Sequence, residues 1–522
     1  MTPVRERFGS VSTEVGSAVV ALSAGVAGLV ASYAAVGITP AFVGAPIANE
    51  VVRLTPGTVV TVAITTLGSL GSQLAFAGGL ATAAFLLALV AGLGLWLGGR
   101  VGHRAGPPAV AGLGVALFGF ALVDSPRSAA AAGVGAAVVV AAPAVLTAVR
   151  GGQRDGDDRS ADGTPNAARR SVLASVAAAL GVGLLGAGGR SVASTLGVST
   201  SAETDSMDSA DGSASSSSDE VAALLAEAEE KSLDVAGLEP LVSDSFYTVD
   251  VANVDPDLSR EDWSLRVHGA VGSETEFTFA DVDAMEHEHR FVSLRCVGEG
   301  LNGNKLDNAL WTGVSLADLV EQADPEGEYV MLRAEDGFFE EFPIAALREG
   351  GFLAVGMNGG PLPRGHGAPA RALIPGHWGE INVKWLTEVE VLDGEAEGYW
   401  EKRGWHGTGP VNTVAKLWVR NRLADGRVEL AGAAYAGTRG IDRVEVSTDG
   451  GGTWTEADLS EPLPGEDVWR QWAHRYDPPD GSHEAVVRAV EADGTVQPRE
   501  ESRAFPSGPS GWVSATVDPS SL

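Results

Sequence analysis

The sequence predicts a chain of several domains: an N-terminal transmembrane α-helical anchor, an α+β domain, and a C-terminal all-β sandwich. Three observations predict it. As far as about residue 189 the chain is dominated by Ala, Val, Leu and Gly, and most of its 68 acidic residues come later. Between residues 241 and 398 short runs of strand character alternate with short runs of helix character, separated by Gly-rich loops. From residue 414 onward β-branched and aromatic runs follow one another, divided by the turn signals Asp425-Gly426, Asp449-Gly450 and Asp493-Gly494.

The first part, residues 1–190, contains five apolar stretches: 15–38, 74–97, 107–123, 129–149 and 172–188. Each is near the length that crosses about 30 Å of hydrocarbon at about 1.5 Å per residue, so about five spans are expected, the third and fifth being short. Abundant Ala and Gly suit close helix packing in lipid. Arg5 and Arg7 precede the first stretch, Arg100, His103 and Arg104 follow the second, and Arg150, Arg154, Arg159, Arg169 and Arg170 lie between the fourth and fifth. The alternate loops hold only Arg53 and Arg127, so the positive-inside rule places the N-terminus in the cytoplasm and everything after the fifth stretch outside. No ionisable residue lies deep within a stretch, which favours a passive multi-pass anchor in the cell membrane over a transporter. Arg169-Arg170-Ser171-Val172-Leu173 has the look of a twin-arginine export signal, although the positive-inside rule alone also places two arginines there.

Residues 191–232 form a Ser- and Asp-rich linker, expected to be flexible because it holds too little apolar surface to fold, with a short amphipathic helix over 221–231. In the α+β domain, residues 233–408, strands are expected over 263–267, 291–295, 329–333, 372–374 and 389–392, and helices over 279–285, 316–322 and 344–348. In the last domain, residues 409–510, strands are expected over 416–420, 427–434, 441–447, 469–476 and 484–491.

A net charge of −32 with only five lysines, Lys231, Lys305, Lys384, Lys402 and Lys416, argues against a nucleic-acid partner, which needs clustered cations. Acidic surface with Arg as the main base is also the composition of a halophilic protein, whose carboxylates stay hydrated at high salt. Cys296 is the sole cysteine, so no intramolecular disulfide exists and the thiol is either inert or chemically employed.

The motifs around that cysteine decide between these. Leu294-Arg295-Cys296-Val297-Gly298 is followed by Trp311-Thr312-Gly313-Val314-Ser315-Leu316, then by Met357-Asn358-Gly359-Gly360-Pro361-Leu362-Pro363, His366-Gly367-Ala368-Pro369-Ala370-Arg371, Ile374-Pro375-Gly376 and Val383-Lys384-Trp385-Leu386. In order and spacing these motifs resemble the cofactor-binding loops of the sulfite oxidase family of molybdopterin-dependent oxidoreductases. Ser447-Thr448-Asp449-Gly450-Gly451 leading to Trp454 is similar to the immunoglobulin-like dimerisation domain that follows in that family. The resemblance covers residues 241–506.

It implies one molybdenum-molybdopterin per chain, with Cys296 as the protein's thiolate ligand to the metal; a soft metal centre calls for such a ligand. His366, Arg371 and Lys384, with the backbone amides of Asn382 and Val383, would meet the pterin phosphate through charge-assisted hydrogen bonds. Phe246, Tyr247 and Asp336 are further cofactor contacts, and Arg403 and Trp405 stand on the substrate side. The resemblance also implies a small-molecule substrate and a homodimer. With no haem-attachment motif and no cysteines for an iron–sulfur cluster, electrons must pass to a separate partner.

Two departures concern substrate. Thr248-Val249-Asp250 stands where sulfite oxidases carry a segment with a substrate-binding arginine, and Trp405 replaces a tyrosine beside the metal. Oxygen-atom transfer is thus expected without sulfite as the preferred substrate. The alternatives are a sulfoxide-type reductase and a cell-surface binding protein on a degenerate version of the fold. Glu286-His287-Glu288-His289 offers metal-ligand residue types but reads more simply as a solvated charged helix end.

Overall fold

The structure is a computed structural model that describes residues 3–151, apart from 64–66, 68, 102 and 104, and residues 213–522. The chain divides into two units, residues 1–55, 69–206 and 250–257 in one, and 56–68, 207–249 and 258–522 in the other.

In the first unit, helices α1 (Pro3–Val36), α2 (Ala45–Leu54), α4 (Ser69–Gly99), α5 (Gly106–Leu122) and α6 (Pro126–Gly151) pack side by side. Small residues let the backbones meet. A Cβ on Gly25 would lie 2.3 Å from the Ala84 carbonyl, and one on Gly135 would lie 2.5 Å from that of Ala27. Ser32 Oγ on α1 and Ser128 Oγ on α6 share a buried hydrogen bond of 2.7 Å. Leu74, Leu93, Leu113, Leu117 and Val134 are more than half exposed, a surface suited to lipid rather than water. Three of these helices are long and apolar enough to cross a membrane, over Gly16–Val36, Gln73–Gly99 and Pro126–Val145, and Gly106–Leu122 is a shorter apolar helix. Of the five stretches expected to span, the first, second and fourth lie on these three helices, the third on the 17-residue helix Gly106–Leu122, and the fifth lies outside the described residues.

In the second unit, helix α3 (Gly57–Val62) packs against the 3-10 turn Glu401–Arg403. Helix α7 (Ser213–Lys231) begins earlier than the sequence suggests, so the run Ser215 to Ser218 is helical rather than part of a flexible linker. The cause is its C-terminal half: Val221, Leu224, Leu225 and Ala228 dock on a core that includes Trp378 and Trp405, and a helix so anchored extends backward one residue per added bond.

The α+β part follows with β1 (Ser264–Gly269), β2 (Thr275–Thr278), α8 (Phe279–Asp283), β3 (Glu288–Arg295), β4 (Leu306–Ser315), α9 (Leu316–Glu321), β5 (Tyr329–Ala334), β6 (Phe339–Pro343), α10 (Ile344–Arg348), β7 (Phe352–Met357), β8 (Gly360–Pro361), β9 (Arg371–Leu373) and β10 (Leu386–Leu392). One sheet has the order β2-β1-β10-β5-β6, with β1 and β10 parallel, and another β3-β4-β7-β8 with β9 paired to β7. Helix α8 starts with a capping box in which Thr278 and Asp281 satisfy each other's end groups. Trp263, Leu265, Leu332, Leu353, Ile374 and Val389 form the shared core.

The C-terminal part comprises β11 (Val414–Ala415), β12 (Val419–Arg422), β13 (Val428–Tyr435), β14 (Ile441–Ser447), β15 (Thr455–Glu456), β16 (Asp458–Leu459), β17 (Arg470–Tyr476), β18 (His483–Glu491) and β19 (Val513–Val517). Its two antiparallel sheets, β11-β13-β17-β16 with β12 on β13, and β15-β14-β18-β19, enclose a common core of Leu430, Trp472, Val444, Val446, Ala485 and Val487. A single strand expected over 416–420 is interrupted, because Lys416 turns inward, fully buried, toward the α+β part.

Candidate active site

Cys296 follows the last residue of β3, at the start of the loop that returns through Lys305 to β4. Its amide donates to the Lys305 carbonyl at 3.0 Å, which closes the loop at its base. Beneath it Glu299 is buried and accepts from Arg295 Nε at 2.8 Å, from the Lys305 amide at 3.1 Å and from Lys416 Nζ. Asn302 exchanges hydrogen bonds of 2.8 Å with the backbone of Leu417. The cysteine loop is thus clamped to the C-terminal sheets by groups from both parts. Burial pushes the Cys296 thiol above its ordinary range, while Lys305 and the Gly298 amide work to lower it.

Tyr247 and Phe246 arrive from the strand-free segment before β1. The Tyr247 amide donates to Asp307 Oδ2 at 2.7 Å, and its ring stacks on Phe246 at 5.6 Å. Phe246 meets Trp311 at 5.5 Å and His366 at 5.4 Å, both edge to face. Burial raises the Tyr247 phenol well above its usual value, with the Cys296 charge adding to this and the Arg371 charge opposing it. A Cβ on Gly379 would sit 2.8 Å from the Tyr247 hydroxyl and 3.2 Å from the Arg295 carbonyl, so the Gly379–Ile381 turn closes directly on the cysteine strand.

On the other side lies a buried basic cradle. Arg371, 4 % exposed, donates to the carbonyls of His366 at 3.2 Å and Asn382 at 2.9 Å and lies 5.2 Å from the Trp311 ring centre. Lys384 Nζ donates to the Gly365 carbonyl at 3.0 Å. Gly367, at φ 106°, passes so close to Lys384 that a Cβ there would come within 2.9 Å of the lysine side chain. Burial lowers Arg371 to about 10, Lys384 to about 7 and His366 to about 4, the last with help from the Arg371 charge.

This cradle tests whether the residues fit a molybdopterin. Among the described residues no carboxylate pairs with Arg371, and its Nε is buried without a hydrogen-bond acceptor. A guanidinium is rarely buried so without an anion, and a phosphate supplies the acceptor that is missing. The fit is good.

Of the residues singled out from sequence, Phe246, Tyr247, Cys296, His366, Arg371 and Lys384 come together here. Asn382 and Val383 lie in the loop that adjoins this cradle. The Asn382 side chain is spent within the loop, accepting from the Ile374 amide at 2.7 Å and donating to the Trp378 carbonyl at 3.0 Å, and its own amide donates to Gly379. Val383 is buried, and its carbonyl accepts from Ala372. The Asn382 carbonyl, which accepts from Arg371, helps to hold the guanidinium in place. Asp336 sits in the β5–β6 turn, where it caps the Phe338 amide at 2.9 Å.

Arg403 and Trp405 lie on the 399–407 loop, which reaches the cysteine through Val297: a Cβ on Gly407 would stand 2.7 Å from it. Arg403 donates to the Tyr399 carbonyl at 2.7 Å and covers the Tyr399 ring. Trp405 is 1 % exposed, packs edge-on against Phe505 at 5.2 Å, and its indole N–H has no acceptor. Thr248, Val249 and Asp250 are exposed. The Glu286–His289 motif is dispersed, with Glu288 paired to Arg290 and His289 bonded to Thr312. Sequence reasoning missed Glu299 and Asp307, the acids that anchor the cysteine loop and the Tyr247 segment. Their only sequence signal is proximity to Cys296.

The family model described as the oxidoreductase molybdopterin binding domain matches residues 251–400, and the Mo-co oxidoreductase dimerisation domain matches residues 411–507. The uncharacterized oxidoreductase YuiH of Bacillus subtilis (strain 168) is 32 % identical over 168 residues, which cover 32 % of this chain and 83 % of YuiH. The chain belongs to the sulfite oxidase family. Human mitochondrial sulfite oxidase is 30 % identical over 310 residues, 48 % of this chain and 56 % of the human protein. The chain therefore spans about half the length of the sulfite oxidases it matches. Among solved structures, the sulfane dehydrogenase SoxCD from Paracoccus pantotrophus overlays with a TM-score of 0.45 at 20 % identity, covering 61 % of this chain and 92 % of that one.

Proposed function

We propose that this chain is a membrane-anchored molybdenum-cofactor oxidoreductase that transfers an oxygen atom to or from a small substrate outside the cytoplasmic membrane and exchanges two electrons with a separate protein partner. The observation that carries the reading is the convergence on Tyr247 of the sole cysteine and a buried arginine that has no carboxylate partner among the described residues. When bound, the molybdenum cofactor supplies the two-electron redox chemistry. The protein's part is binding and orientation. Cys296 would provide the soft ligand; Arg371, Lys384 and His366 would hold the phosphate; Phe246, Tyr247 and Trp311 would wall the pterin; and the 399–407 loop, which packs on Val297, would bring Trp405 and Arg403 to the substrate side. Desolvated donors of this kind act strongly because no water competes for them.

Sulfite is not the favoured substrate in this reading. Thr248-Val249-Asp250 brings a carboxylate and no cation to the upstream loop, and Trp405 offers a single N–H in place of a phenol. The dimerisation-domain match supports a homodimer. A binding protein on a degenerate fold is disfavoured, since no such protein needs an unpaired guanidinium in its interior.

The test is a substrate screen of the full chain in detergent, run in parallel with artificial electron donors and acceptors on wild type and Cys296→Ser. Turnover that falls by orders of magnitude in the variant supports the proposal; retention of more than about a tenth of it removes Cys296 from the metal.

A further inference from the structure

Two short segments belong to a different unit from their neighbours in the chain. Residues 56–68 are part of the second unit, although α2 before them and α4 after them are part of the first; residues 250–257 are part of the first, although the chain on both sides is part of the second. Within the first unit the Asn253 amide donates to Asn49 Oδ1 at 2.8 Å, its side-chain amide donates to the Ala48 carbonyl at 3.0 Å, and Val254 is buried with Phe42 and Val43. Within the second unit α3 packs on the turn Glu401–Arg403. A helical part that served only as an anchor needs neither exchange.

The α3 contact is made by a glycine. A Cβ on Gly57 would stand 2.9 Å from Arg403 Cγ and 3.0 Å from Arg403 Cα and Cβ, so any side chain there would have to move the turn itself. Gly57 has no positive φ, and glycine weakens a helix, so close approach to Arg403 is what glycine provides. The turn it touches leads straight to Trp405. The Trp400 carbonyl accepts from the Arg403 amide at 2.9 Å and from the Trp405 amide at 3.1 Å, which ties the position of one residue to that of the other. Trp405 is buried, and among the described residues its indole N–H has no acceptor. Buried donors are normally satisfied, so this one is left for a ligand.

We propose that α3 is a positioning element of the active site: Gly57 seats Arg403 and, through the shared Trp400 carbonyl, sets Trp405, whose indole N–H donates to an oxygen of the substrate. The proposal rests on the placement of Trp405 on the substrate side. It makes the α2–α4 connection a working part of the enzyme, with Gly57 acting through Trp405 and touching no substrate itself.

The experiment uses full-length, molybdenum-loaded protein in detergent, with sulfite as the probe substrate and ferricyanide as acceptor, slow as that turnover is expected to be. Trp405→Phe removes one hydrogen bond to a charged oxygen and should raise KM by about tenfold or more. Gly57→Leu should raise KM by a similar factor, with kcat within about threefold of wild type and molybdenum content unchanged, and Gly57→Ala should do so less. In the Trp405→Phe background Gly57→Leu should add nothing, because both changes remove the same contact. A readout without turnover comes from Gly57→Cys combined with Arg403→Cys. Cβ atoms so close are within reach of a disulfide, and mild oxidation should give a gel-mobility shift that reductant reverses and that neither single variant shows. A Gly57→Leu KM within about twofold of wild type, additive effects in the double variant, lost molybdenum in place of a raised KM, or no disulfide would overturn the proposal. An unchanged KM in Trp405→Phe would instead remove Trp405 from the substrate, and with it the reading on which the proposal rests.

Discussion

Replacing Glu299 by Gln tests how the cysteine loop is held. Arg295 and Lys416 side chains are each 0 % exposed, and the Glu299 side chain between them is 1 % exposed, so the substitution leaves two interior cations facing a neutral amide. Breaking a buried ion pair from one side costs about 3–5 kcal/mol. Part of this is recoverable. Burial already lowers Lys416 to about 8, and Glu299 is the main group that opposes this, so without the acid Lys416 falls further and gives up its proton more readily. The glutamine oxygen also still accepts from the Lys305 amide. We therefore expect a loss near the lower bound, about 3 kcal/mol, which lowers the midpoint by about 6–12 °C in a domain of this size. The assay is calorimetry of the full chain in detergent, with the Lys416→Met single variant and the double variant alongside. The pair should be coupled, the double variant losing less than the sum of the singles. A Glu299→Gln midpoint within about 1 °C of wild type, or strict additivity, would refute the clamp.

Lys384→Met should change the pH dependence of the cofactor-free protein. Burial holds the Lys384 folded value at about 7, below the 10.5 of an unperturbed lysine, so the folded state binds fewer protons between the two. Stability from this group is complete above about 10.5 and is lost as pH falls through about 7; denaturant titrations should show that slope in wild type and its loss in the variant. Sulfite oxidation should be inefficient: a missing charge-assisted contact costs about 1.5–3 kcal/mol and carboxylate repulsion adds a similar amount, roughly two to four orders of magnitude in kcat/KM. Steady-state assays against a dedicated sulfite oxidase check this. Protease added to intact cells should release an acidic fragment that starts within residues 191–220, and release only after lysis would place the catalytic part inside.

The elements legible in the sequence are those whose patterns are local. The strand expected over 441–447 and the helix over 344–348 coincide with β14 and α10, because period and turn residues mark both ends. Strand β4 was not legible: Asp307 and Asn308 are buried inside it, since Ser243, the Tyr247 amide and Leu241 satisfy them, and nothing nearby in sequence announces those partners. Strand β7 is buried at every position and shows no alternation. At the site, Cys296, Arg371 and Lys384 were legible through motif order, which the loops preserve. Glu299 was not, because its ion pair with Lys416 joins residues 117 positions apart. The loop closure at Asn382 was not legible for the same reason: its side chain accepts from the Ile374 amide and donates to the Trp378 carbonyl, partners that spacing does not encode.

Molybdenum content of the full chain, purified from a host that makes the cofactor, tests the central claim most directly. The account predicts about one molybdenum per chain in wild type, bound pterin without normal turnover in Cys296→Ser, and loss of both metal and pterin in Arg371→Ala, since removing one charge-assisted phosphate contact weakens binding by roughly 10- to 100-fold. Less than about a tenth of an equivalent in wild type despite ample cofactor, or undiminished molybdenum and pterin in Arg371→Ala, would contradict it.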